Sequence, residues 1–182
     1  MEIELIHFPL HPETPDEGLL LEDLFAGRGV DIEAMYSRMK GLMDAEGLVY
    51  GKRTHTYNSR LAQELGKWAD EQTKRGDNYE RIHDALYKAY FVDARNIGNE
   101  EVLVGIATNV GLPKDEVRTV LFERTHKEAV DTDWAKSREH GVTGVPTFIA
   151  GGYSLVGAQP YEALEQLLNE AKNLFTKTVN NR

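Results

Sequence analysis

Val142-Thr143-Gly144-Val145-Pro146-Thr147-Phe148 is the stretch where the hydrophobic period of this chain changes. Upstream of it, apolar residues recur at intervals of three and four. Downstream, Thr147-Phe148-Ile149-Ala150 and Tyr153-Ser154-Leu155-Val156 flank Gly151-Gly152, which predicts a β-hairpin closed by a two-residue turn. Pro146 opens the first of these strands, a position that tolerates a missing N–H. On residue physics alone its peptide bond reads as an ordinary trans turn, since about one X-Pro bond in twenty is cis in folded proteins.

After the hairpin, Pro160 starts a closing helix with Tyr161, Leu164, Leu168, Ala171 and Phe175 on its buried side. Before it, a helix over His126–His140 is anchored by Ala129, Val130 and Trp134 and stopped by Gly141. Asn99 caps a helix through Leu103, Ile106 and Val110, and Pro113 suits the first turn of the next. Asn78 opens a helix carrying Ile82, Leu86, Ala89 and Tyr90, and Asn58 caps one carrying Leu61, Leu65, Trp68 and Ala69 up to Gly76. Asp31 caps another with Met35, Tyr36, Met39, Leu42 and Met43 at helical spacing, for which core packing is the favoured role. Leu48 to Thr56 reads as irregular, and Leu19 to Ala26 as a short helix.

At the start, Glu2 to Phe8 alternates with period two and predicts a short strand, ended by Pro9, Pro12 and Pro15. Strands at both ends with helices between them give an α/β class: a small sheet domain carrying a large helical insertion. The parts divide as residues 1–15, 16–140 and 141–182.

Composition narrows the chemistry. Lys plus Arg number 21 against 30 Asp plus Glu, a formal charge of −9, which argues against nucleic acid as a partner. No apolar run is long enough to span a membrane and no signal-peptide pattern opens the chain, so a cytoplasmic protein with no membrane partner is expected. Cysteine is absent, which removes disulfides, Cys-ligated metals and a thiol nucleophile from these residues. His7, His11, His55, His83, His126 and His140 show no metal-ligand spacing, so no metal site is expected. Nucleotide and serine-hydrolase fingerprints are also missing, and no catalytic or cofactor-binding residue is assigned.

Five stretches carry a likeness to a known family: EIELIHFPLHPETPDEG, YNSRLAQELGKWADEQ, LYKAYFVDARNIGNEEVL, TGVPTF and GGYSLVGAQPYEAL. Together they resemble the DsbA family of thioredoxin-fold proteins, most closely its FrnE-like branch. The resemblance implies a thioredoxin-like fold of DsbA type with a large helical insertion and, as family activity, protein dithiol–disulfide exchange. It also implies a cis-proline loop at Val145-Pro146, with Gly144, Val145 and Pro146 as the substrate-binding residues.

Family members begin with a strand and a Cys-x-x-Cys helix ahead of the segment that aligns to Met1. On this reading the first βα unit is missing and the chain is redox-inactive by itself. The strand so lost lies centrally, between residues 2–8 and Thr147–Ala150, leaving both with open edges. Three repairs are expected: direct pairing of the two strands, a homodimer, or a strand donated by a partner, with the homodimer preferred. The ligand is then a polypeptide or a small thiol. Two alternatives are a glutathione-dependent relative of the 2-hydroxychromene-2-carboxylate isomerase or kappa-class transferase type, and a purely structural helical interaction domain.

Overall fold

The computed structural model describes residues 3–76, 79 and 81–180, with side chains to residue 174 in the last helix. Eight helices and two two-stranded sheets lie among the described residues, and the chain divides into two compact units, residues 11–132 and residues 1–10 with 133–182.

The larger unit opens with β1 (Leu19–Leu20), paired antiparallel with β2 (His55–Thr56), and continues from β1 directly into α1 (Leu21–Leu24). The single helix expected over Leu19–Ala26 is therefore half strand. Leu19 and Leu20 find Thr56 and His55 as ladder partners, and the Leu21 N–H donates to the Thr54 carbonyl at 2.9 Å. Gly18, at φ +91°, is required beside this sheet because a Cβ there would meet the Tyr57 ring.

Asp31 caps α2 (Ile32–Ala45) by accepting the Ala34 N–H at 3.0 Å. No residue of α2 is buried and Met39 is 42% exposed, which corrects the core role expected for Met35, Met39 and Met43. The helix forms from its cap and periodicity, but no other element closes over its apolar stripe.

The core lies among α3 (Arg60–Arg75), α4 (Arg81–Phe91), α5 (Glu100–Asn109) and α6 (Lys114–Glu123). Leu65, Ile82, Leu103, Val117 and Leu121 are at most 1% exposed, and each stabilises the unit by about 1.5–3 kcal/mol on burial. The ends of these helices follow local chemistry. Gly76 stops α3 at φ +111°, and Asn99 caps α5 through the Val102 N–H at 3.1 Å. The start of α4 assigned to Asn78 falls outside the described residues.

α7 (Lys127–Glu139) is followed in the smaller unit by β3 (Thr147–Ala150), β4 (Tyr153–Val156) and α8 (Tyr161–Asn180). β3 and β4 form the expected hairpin, Phe148 opposite Leu155 and Ala150 opposite Tyr153, around Gly151 and Gly152 at φ +56° and +84°. α8 packs on both strands, so closely that a Cβ on Gly151 would strike Ala171. Its buried side chain is Leu167 at 6% exposure, with Leu164, Leu168 and Ala171 half-buried around it. Tyr161, expected on that face, is 73% exposed because it stands at the helix start beyond the strands; the Phe175 side chain lies outside the described residues.

Residues 3–8 are not a strand, which corrects the alternation reading of residues 2–8; Glu2 itself lies outside the described residues. A strand exists only through its ladder, and this segment has none among the described residues: direct pairing with β3, one of the three repairs, does not occur. The segment is tied instead by side chains of α7. Asp133 Oδ2 accepts the His7 N–H at 3.2 Å and Lys136 pairs with Glu4 at 2.9 Å.

Candidate functional site

The Gly144-Val145-Pro146 loop is set by the end of α7. Gly141, at φ +68°, donates to the Arg138 carbonyl at 2.9 Å and Val142 to that of Ser137 at 3.0 Å, so the chain reverses abruptly. The Thr147 hydroxyl then donates to the Gly144 carbonyl at 2.7 Å and closes the loop on itself. The Val145–Pro146 peptide bond is cis. Nothing lies within 4 Å of where a Gly144 side chain would begin, and Val145 is 49% exposed.

Register decides what this loop presents. The Gly157 N–H donates to the Pro146 carbonyl at 2.8 Å. Antiparallel pairs alternate between bonded and non-bonded, so Pro146, Phe148 and Ala150 point their main-chain groups at β4. Val145, Thr147 and Ile149 therefore turn theirs away from β4. All three residues expected at the site lie together at the head of this open edge, beside the exposed side chains of Phe148 and Ile149.

A family model for the DSBA-like thioredoxin domain matches residues 1–169. The chain belongs to this family. Its mixed α/β build, mostly helical with small sheets, is that of a DsbA-like thioredoxin domain with a helical insertion. Among curated proteins, an uncharacterized protein YwbO of Bacillus subtilis (strain 168) is 29% identical over 117 residues, 64% of this chain. The match spans 56% of that relative's length.

The family is one of disulfide-related oxidoreductases and isomerases, yet this DsbA-like chain contains no cysteine. Among the described residues, no three His, Asp or Glu side chains stand close enough to share a metal ion, and no helix is long and apolar enough to cross a membrane. The histidines have other surroundings. His83 meets Asp70 at 2.7 Å, His126 meets Glu71 at 3.4 Å, and the His55 ring stacks on Tyr57.

Sequence reasoning missed a buried ionic centre in the larger unit. Glu64 on α3 is 0% exposed and accepts from Arg60 Nε at 2.6 Å and from Arg124 Nε and Nη2, both at 2.7 Å. Arg60 also pairs with Asp131 at 2.7 Å. Burial pushes the Glu64 carboxyl up, but the bonds from Arg124 and Arg60 outweigh it, and its pKa lies below the ordinary value. Arg60 and Glu64 stand four apart on one helix and were legible as a pair. Arg124 is sixty residues further along, and no local pattern announces it.

Proposed function

We propose that these residues form the polypeptide-binding part of a FrnE-like protein within the DsbA family, with Gly144, Val145 and Pro146 as the contact loop. The observation that carries this reading is the open main-chain edge of Val145, Thr147 and Ile149, which offers N–H and C=O groups to an extended chain. Exposed Phe148 and Ile149 supply apolar contact on the two faces of β3.

Thiol–disulfide exchange needs a thiolate that attacks one sulfur of a disulfide and expels the other as a thiolate. With no cysteine among the 182 residues, that nucleophile has to come from outside them, from another polypeptide or a small thiol, and these residues alone perform no exchange. In DsbA relatives a strand ahead of the segment aligned to Met1 lies beside β3. We favour a homodimer in which the second copy pairs along Thr147 and Ile149 and leaves the Val145 main chain to the ligand.

Two measurements test the proposal. Insulin reduction and oxidative refolding by the purified chain should stay at the uncatalysed rate, while an unfolded, Cys-free polypeptide should shift the amide resonances of Val145 to Ile149. Turnover above background, or glutathione binding at this loop in place of the polypeptide, would overturn it, the latter in favour of a glutathione-dependent enzyme. Light scattering over a range of concentrations should give twice the chain mass; a monomer throughout would remove the dimer from the proposal.

A further inference from the structure

No tyrosine of the larger unit is fully buried, although Tyr57, Tyr79 and Tyr90 pack against its core. Tyr36, Tyr50, Tyr57, Tyr87 and Tyr90 join Phe91 in a run of ring contacts. Tyr36 stacks on Tyr50 at 5.8 Å and Tyr50 on Phe91 at 6.4 Å, so the run ties α2 to the C-terminal end of α4 through the segment after α2. None of these rings is buried, and Tyr87 is 60% exposed. Apolar side chains continue the surface. Met39 and Leu42 on α2 are 42% and 51% exposed, and Leu48 and Val49, held against α2 by the Leu48 N–H on the Met43 carbonyl, are more so. A contiguous aromatic and aliphatic surface of this kind marks a contact site more often than an idle one.

Two of the cations near it have no acidic partner among the described residues. The Arg53 guanidinium lies over the Tyr90 ring at 4.7 Å and the Phe91 ring at 5.8 Å. Nη1 donates to the Tyr90 hydroxyl at 2.6 Å and more weakly to the His55 carbonyl, while Nε is buried and makes no hydrogen bond among the described residues. No carboxylate among the described residues pairs with Arg53, or with Arg28 on the exposed loop between Gly27 and Gly29, whereas neighbouring Lys52 is neutralised by Glu33 at 2.7 Å. His11 senses both guanidiniums: after burial, they are what hold its imidazole below the ordinary pKa.

We propose that this surface docks a polypeptide segment that presents apolar or aromatic side chains next to carboxylates. The rings and Met39 take the apolar groups, and Arg53 and Arg28 take the negative charge. The surface runs across α2, the segment following it and the end of α4, and it shares no residue with the cleft lined by Arg60 and Arg124 or with that lined by Trp68 and His126. An extended surface of this form suits a chain better than an enclosed small molecule. A second copy fits it poorly, because an isologous contact centred here would bring the unneutralised arginines of both copies together. The inference stands apart from the reading of the Val145 loop.

The test uses the full isotope-labelled chain and two synthetic decapeptides, one with phenylalanines flanked by glutamates and one with every glutamate replaced by lysine. The glutamate peptide should shift the amides of Tyr50, Arg53 and Phe91 saturably, and the lysine peptide should bind at least tenfold more weakly. Arg28→Glu should weaken the glutamate peptide by about fivefold or more, the scale of one partly exposed charge contact, with the rest of the spectrum unchanged. Arg28 is itself exposed on this loop, so this variant leaves the fold intact. Equal binding of both peptides, shifts confined to β3, or no binding would overturn the proposal. Shifts at Tyr50 and Phe91 that grow with protein concentration without peptide would overturn it in favour of self-association.

Discussion

Replacing Glu64 with alanine strips two arginines of a buried carboxylate that accepts three hydrogen bonds of 2.6–2.7 Å. Losing one partner of a buried pair costs about 3–5 kcal/mol, chiefly because the remaining charge is stranded away from water. Here the cost belongs at about 3 kcal/mol. Arg60 keeps Asp131 and the Lys127 carbonyl, and the Arg124 side chain is 40% exposed and can hydrate. Arg124 also sits at φ +55°, an uncommon conformation for a residue with a Cβ, and Glu64 anchors its side chain there. Urea unfolding followed by the fluorescence of Trp68, buried on the same helix, measures the loss. At a slope of about 2 kcal/mol/M the midpoint should fall by about 1.5 M.

Glu64→Gln separates charge from shape. The wild-type carboxyl has its pKa below the ordinary 4.5, so its contribution is complete above that value and is lost as pH falls through the folded-state pKa. The glutamine variant should be less stable than wild type at neutral pH, and the difference should shrink as the solution is acidified. A loss under about 1 kcal/mol for the alanine variant would refute the ionic account, since even one unmade buried hydrogen bond costs that much. So would an acid dependence identical in the glutamine variant and wild type.

Gly51→Ala should destabilise the larger unit by about 3 kcal/mol or more, because a Cβ there would overlap the Val92 carbonyl oxygen and backbone must move; a thermal midpoint within about 2 °C of wild type would contradict this. Ala94 holds φ +52°, so Ala94→Gly should stabilise by about 0.5 kcal/mol after the entropy of the unfolded glycine is counted, and a clear loss in denaturant unfolding would show that the alanine methyl packs usefully. Arg28→Ala removes a cation beside His11, whose pKa is held down by burial and by Arg28 and Arg53, so the imidazole midpoint followed by proton chemical shift should rise. The folded-state depression makes protonation of His11 oppose folding, and that penalty, which appears as pH falls below the ordinary 6.5, should shrink in the same variant.

The hairpin and the helix ends were legible because their causes lie within a few residues. Gly151 and Gly152 supply the positive φ that a two-residue turn needs, Asp31 and Asn99 reach N–H groups three residues on, and Gly76 stops α3. The loop proposed as a contact site was marked in a different way. TGVPTF marked its place in the chain, but which of its main-chain groups face outward follows from the register of the hairpin and the bond between Gly157 and Pro146.

What the linear order of residues determined by itself was the punctuation of this protein: caps, turns, helical stripes, the family likeness and the absence of a thiol. Each is a property of one residue or of neighbours within a helical turn. Only the tertiary structure decided which of those stripes would be covered and which segments would pair. Residues 3–8 alternate as a strand does but gain no ladder, Leu19 and Leu20 gain one from residues beyond position 50, and the stripe of α2 is left open. The Glu64 centre and the aromatic surface around Arg53 likewise unite side chains far apart in the chain. Pairing and burial depend on partners from remote segments, and periodicity says that a face is apolar without saying what will meet it.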